Sequence, residues 1–111
     1  DLAQEAGIAL AIHMAESPVG CLAAAHCAAA TESFLALEFH SADVPWWQDI
    51  VTGAPRPIVA EGHVEVSDRP GLGIDDFNDE VLAEHAAPER PRLWEPTEQW
   101  DGEWSHDRTW S

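Results

Sequence analysis

The chain has 111 residues, and 21 aspartates and glutamates outweigh five arginines, so that the formal net charge is −16 at pH 7. This length fits one small domain. So acidic a chain is not steered to nucleic acid or to anionic lipid, and no apolar run is long enough to span a membrane. Because lysine is absent altogether, the composition favours a protein of a salty cytoplasm, where ions screen self-repulsion.

The first forty residues predict a strand–helix–strand unit. A short helical segment over Leu2–Ala6 precedes a continuous apolar run over Ile8–Met14, which is typical of a strand buried on both faces. Ser17 and Pro18 then form a helix start, with serine as the N-cap and proline in the first turn. An alanine-rich helix follows, and a second apolar strand is predicted over Phe34–Phe39. Such short connections require parallel strands and a right-handed crossover.

The pattern changes after residue 40. We predict a short helix near Pro45, two short strands around Glu61 and Gly62, and a helix that follows the cap residue Asn78. From Pro88 the chain is acidic and rich in proline and tryptophan, without helical or strand periodicity. Two parallel strands do not form a stable sheet alone, because both of their faces need covering. The unit therefore predicts the end of a larger parallel α/β domain.

Two ionisable residues stand where the predicted strands end. His13 follows the first strand and Glu38 follows the second. Functional side chains of parallel α/β folds concentrate at the carboxyl ends of strands. If the two strands are adjacent, His13 and Glu38 can point into one mouth. A carboxylate within an apolar strand also needs a partner, since burying it alone is costly.

Three segments together carry a family resemblance: "ALAIHMAESPVGCLAAAHCAAAT", "FLALEFH" and "PIVAEGHVEVSDRPGLGI". Residues 1–85 resemble the C-terminal end of the mandelate racemase/muconate lactonizing group of the enolase superfamily. The resemblance is strongest to acid-sugar dehydratases of the galactonate and gluconate dehydratase kind. It implies a (β/α)-barrel in which residues 1–43 supply the seventh strand, a helix and the eighth strand. Residues 44–85 would pack on an N-terminal capping domain, and 86–111 would form a tail.

The resemblance also implies roles for particular residues. His13 matches the general base or acid at the carbon next to the substrate carboxylate. Glu38 matches the glutamate that donates a hydrogen bond to that carboxylate, which requires a protonated group with a raised pKa. His40 and Glu16 are candidates for substrate contact. The Mg²⁺ ligands of the family, and the aspartate partner of its histidine, are expected upstream of this chain, so no metal ligand is assigned within it.

These expectations amount to Mg²⁺-dependent dehydration of a sugar acid to a 2-keto-3-deoxy acid, catalysed by a longer enzyme. The partners expected are the sugar acid, the remainder of the parent enzyme and further copies in a homo-oligomer. A racemase, epimerase or cycloisomerase of the same superfamily is the alternative, and a stand-alone acidic interaction module is a non-enzymatic one. A zinc site is disfavoured because Cys21, Cys27 and the histidines show no C-x-x-C or H-x-x-x-H spacing.

The tryptophans carry two further expectations. Packing is the favoured role of Trp46 and Trp47, which lie at the start of the segment expected to return to the capping domain. In the chain by itself, however, these two residues are candidates for exposure, together with Trp94 and Trp100 of the tail.

Overall fold

The computed structural model describes residues 1–88 and residue 93. Asp1–Asn78 form one compact unit, and a second unit begins at Asp79. Most of the predicted tail, with Trp94 and Trp100, lies outside the described residues. Within the part of the chain that is described, no helix is both long enough and apolar enough to cross a membrane.

The predicted strand–helix–strand unit is present. Helix α1 covers Leu2–Glu5, strand β1 Leu10–Ile12, helix α2 Pro18–Ala29 and strand β2 Phe34–Leu37. The two strands pair in parallel, with Ile12 opposite Leu37. Helix α2 begins where predicted, since Ser17 is the N-cap residue with an extended backbone, although its side chain makes no capping hydrogen bond.

The strands are shorter and more exposed than the sequence predicts. Leu35 is 70% exposed, Ile8 57% and Phe34 40%. The reason is that β1 and β2 form a two-stranded sheet and α2 packs against it, so further strands or helices that would cover the apolar side chains do not come from the described residues. A parallel sheet normally has both faces covered.

The core lies between α2 and the segment that follows β2. Helix α2 contributes small side chains, which allow close approach, and the later segment contributes larger ones. The buried apolar residues are Met14, Cys21, Leu22, Ala25, Ala28, Trp47, Ile50, Val51 and Ile58. Burial raises the pKa of the Cys21 thiol, which fits a reduced core cysteine.

Short elements make up the remainder. A 3₁₀ helix spans Trp47–Ile50, and the strands are β3 Val51–Thr52, β4 Val59–Ala60, β5 His63–Val64 and β6 Asp76–Phe77. Strand β3 pairs with β6 and β4 pairs with β5, both antiparallel. The β4–β5 hairpin turns at Glu61 and Gly62 as predicted, and both have positive φ values of 50° and 78°, as tight hairpins require. In the second unit, helix α3 spans Asp79–His85, directly after the predicted cap residue.

Trp47 links the 3₁₀ helix to two earlier parts of the first unit, the loop before α2 and the segment directly after β2. Its indole Nε1 donates a hydrogen bond to the backbone oxygen of Glu16 at 2.8 Å. Its ring meets Phe39 edge to face, with centroids 5.1 Å apart. The expected exposure of Trp47 is therefore wrong, because residues of the chain's own first half cover it, and only 7% of it is exposed. Trp46 is half-buried.

We expect Trp47→Ala to lower the free energy of unfolding by about 3–5 kcal/mol, because it removes a buried aromatic ring and leaves a cavity. Trp47→Phe keeps most of the packing but loses the hydrogen bond to Glu16, which is worth about 1 kcal/mol. Urea unfolding of both variants and the wild type measures the two losses of unfolding free energy, and we expect the loss in Trp47→Phe to be the smaller. Equal losses in the two variants would contradict the packing role of Trp47.

Candidate functional site

His13 and Glu38 lie at the same edge of the sheet. His13 directly follows β1 and Glu38 directly follows β2. The backbone N–H of Glu38 donates to the carbonyl oxygen of Ile12 at 2.9 Å. This bond continues the ladder of the parallel strands and fixes the backbone of Glu38 beside that of His13. The juxtaposition predicted from strand-end positions is present.

The two side chains touch, and a third joins them. His13 Nδ1 lies 2.6 Å from Glu38 Oε2, and His40 Nε2 lies 3.3 Å from the same oxygen. The two imidazole rings are 5.6 Å apart between centroids. All three side chains are open to solvent, with exposed fractions of 75% for His13, 46% for Glu38 and 58% for His40. We refer to these three residues as the His–Glu–His cluster.

The hydrogen bond from His13, and secondarily that from His40, lowers the pKa of the Glu38 carboxyl. The expectation of a raised Glu38 pKa, which the family role requires, is therefore wrong for this chain. Glu38 is exposed here and accepts hydrogen bonds from two imidazoles. An ionised carboxylate can only accept. His13 must then donate through Nδ1, and in the neutral ring Nε2 carries the lone pair that can take a proton.

Glu16 does not join the cluster. A Cβ atom placed on Gly20 would lie 2.7 Å from Glu16 Oε2, so the Glu16 side chain folds back over the first turn of α2. Its backbone oxygen holds Trp47. Substrate binding by Glu16 and by His40 stays a prediction, as does a catalytic role for His13 and for Glu38, although the lowered pKa of Glu38 does not fit the expected role as a hydrogen-bond donor.

The sequence already indicates that His40, the third member of the cluster, lies close to Glu38. His40 stands two positions after Glu38, and alternate residues of an extended chain point to the same side. The contact of His40 with Glu38 follows from that spacing. The approach of its ring to His13 depends on strand pairing and could only follow from the fold.

Titration of Glu38 gives a direct check on this geometry. The folded pKa lies below the unfolded one, so the contact stabilises the protein above the unfolded pKa of about 4.3. That stabilisation is lost as the pH falls through the lowered folded value. We expect His13→Asn to raise the Glu38 pKa toward its ordinary value, and His63→Asn to leave it unchanged. Carboxyl-carbon NMR in metal-free buffer measures both, and an unshifted Glu38 in the wild type would contradict the contact.

Comparison with known proteins identifies the family. Residues 1–80 match the model of the enolase C-terminal domain-like family, and the chain belongs to this family. It is 42% identical over 74 residues to a D-xylonate dehydratase of Haloferax volcanii, a match that covers 67% of this chain and 18% of the relative.

A solved structure shares the fold. It is a mandelate racemase/muconate lactonizing enzyme-like protein of Rubrobacter xylanophilus, with 41% identity and a TM-score of 0.74. The match covers 82% of this chain and 23% of that protein. The predicted barrel-fragment fold and the predicted superfamily are confirmed. The chain spans about a fifth of the length of these relatives.

Proposed function

We propose that this chain is part of an enzyme that dehydrates a sugar acid to a 2-keto-3-deoxy acid. Membership of the family and the likeness to a D-xylonate dehydratase support a reaction of this class. The single observation that carries the proposal is the 2.6 Å contact of His13 with Glu38 at the carboxyl ends of two adjacent parallel strands. Which sugar acid is used depends on residues outside this chain.

In this proposal His13 removes the proton next to the substrate carboxylate through Nε2. Glu38 accepts the Nδ1–H hydrogen bond, which fixes the tautomer and orientation of the ring, as carboxylate partners of catalytic histidines do. His40 lies beside both, and we propose that it contacts the substrate. The hydroxyl group on the neighbouring carbon then leaves as water with the proton that His13 has removed, and the resulting enol becomes the 2-keto acid. Proton transfer of this kind contributes about 10²–10⁴-fold to a rate.

Enolase superfamily members generally use Mg²⁺, which stabilises the negative charge of an enediolate. The described residues of this chain do not fit that ion. Their one group of three possible ligands is the His–Glu–His cluster, with two imidazoles and one carboxylate, whereas Mg²⁺ requires near-octahedral oxygen ligands. We therefore place the Mg²⁺ ligands outside this chain and assign none to it.

The remainder of the parent enzyme is the partner that we propose for this chain. The exposed apolar side chains of Leu35, Phe34 and Ile8 fit burial against further strands and helices of a barrel. The relatives contain several times the length that this chain matches. We call this chain together with that remainder the assembled enzyme, and we propose that it is a cytoplasmic homo-oligomer.

A product assay separates the proposed reaction from its alternatives. The assembled enzyme is incubated with Mg²⁺ and a panel of sugar acids that includes D-xylonate. Formation of a 2-keto-3-deoxy acid supports dehydration. Inversion of configuration without loss of water would indicate a racemase or epimerase instead. Absence of any turnover across the panel would favour the non-enzymatic module.

The charge of −16 makes stability depend on salt. Where acidic residues repel one another and no lysine pairs with them, screening stabilises the compact state. We expect the melting temperature of the assembled enzyme to rise from low salt to molar KCl, and to rise in molar NaCl as well, because screening does not depend on the cation. A flat or falling melting temperature would contradict adaptation to a salty cytoplasm.

A further inference from the structure

The donor set of the His–Glu–His cluster fits a different ion from Mg²⁺. One ligand atom from each of His13, Glu38 and His40 lies within 4.8 Å of the other two. Imidazole nitrogens with a carboxylate suit borderline transition ions such as zinc, nickel and copper. We propose that the cluster is a binding site for one such ion, with Zn²⁺ as the representative, in which the three side chains supply three ligands and water the fourth.

The distances require only small side-chain movements. Bonds of about 2.0–2.2 Å to zinc place the ligand atoms of a tetrahedral site about 3.4 Å apart. The two imidazole nitrogens already lie 2.6 Å and 3.3 Å from Glu38 Oε2. Because all three side chains are open to solvent, they can rotate apart to admit an ion. The backbones of His13 and Glu38 stay in register through the bond between Glu38 and Ile12.

The site is non-local, and this explains why spacing rules do not reveal it. Neither cysteine takes part in the site. Among the described residues, the group of possible ligands contains only the two histidines and the glutamate. Cys21 is buried in the core and Cys27 is a free thiol on α2. Strand pairing, rather than a short motif, assembles the ligands.

Zinc must replace the N–H groups that the two imidazoles direct at Glu38, so in each neutral ring the proton moves to the other nitrogen. Acid weakens binding because it protonates the side chains that must coordinate the ion. Binding of the ion does not depend on the proposed catalysis. In the assembled enzyme, zinc and substrate would compete for His13, because an imidazole that coordinates zinc no longer serves as a base.

The test is calorimetric titration of the 111-residue chain with ZnCl₂. Molar KCl and an excess of MgCl₂ suppress loose binding to the acidic surface. We expect one saturable site that Mg²⁺ does not displace. His40→Ala and Glu38→Gln should each weaken it about tenfold or more, at least the loss that even an outer-shell partner causes. Both side chains are exposed, so these substitutions leave the core intact.

Matched controls define the site. His63→Ala removes another exposed histidine, and Cys27→Ser removes the exposed thiol; both should bind zinc as the wild type does. Co²⁺ gives a second measurement, since a tetrahedral site with nitrogen and oxygen ligands produces visible absorption without a thiolate charge-transfer band. Absence of saturable binding, equal binding in the cluster variants, or loss of binding in Cys27→Ser would each overturn the proposal.

Discussion

His13→Asn in the assembled enzyme is expected to lower kcat for dehydration by about 10²–10⁴-fold, the usual contribution of a general base. Asparagine keeps a polar side chain of similar reach, but it has no nitrogen lone pair that can take a proton. The affinity for Mg²⁺ should hardly change, because we place its ligands outside this chain. Steady-state rates and Mg²⁺ titrations measure the two effects separately.

His63→Asn is the matched control for this substitution. His63 is exposed, starts strand β5, and bonds to the backbone oxygen of Glu61 rather than to the cluster. We expect its kcat to equal that of the wild type. Retention of more than half of the wild-type kcat by His13→Asn would remove His13 from the role of base.

The 111-residue chain alone is expected to show no turnover of any sugar acid, even with Mg²⁺. It carries the proposed base, but its described residues offer no ligand set that fits Mg²⁺, and without the ion the enediolate charge is unstabilised. Addition of a polypeptide that covers the remainder of the parent enzyme should restore part of the activity. We expect the apolar side chains of Phe34 and Leu35 in β2, which are exposed in this chain, to form the surface for this association.

A charged substitution on that surface tests the association. Leu35 is 70% exposed in this chain, so Leu35→Asp should leave the isolated chain folded while blocking recovery of activity. Cys27→Asp adds the same charge at an exposed position of α2, and this matched control should permit recovery. Turnover by the chain alone, or full recovery with Leu35→Asp, would contradict the proposed partnership.

The strand–helix–strand unit could be predicted because its signals are local. The apolar run before His13, the Ser17–Pro18 start of α2 and the apolar run before Glu38 each reflect short-range physics. Parallel pairing then follows from the short connections. Since strand ends of a parallel pair meet at one edge, the approach of His13 to Glu38 was predictable as well.

The protonation of Glu38 and the placement of Glu16 could not be predicted in the same way. A pKa depends on burial and on neighbours, and the sequence pattern indicates a buried carboxyl where the structure has an exposed one that accepts two hydrogen bonds. The side chain of Glu16 folds over Gly20, a contact that depends on the local path of the loop. Burial of Trp47 likewise depends on Phe39 and on the loop before α2.

Release of deuterium from the carbon next to the carboxylate tests the central claim most directly, because it reports the bond that His13 is proposed to break. The assembled enzyme is given a sugar acid deuterated at that carbon, and deuterium in the solvent is followed by NMR. We predict release with each turnover in the wild type and in His63→Asn, and none above the uncatalysed rate in His13→Asn. Release at the wild-type rate by His13→Asn would contradict the account.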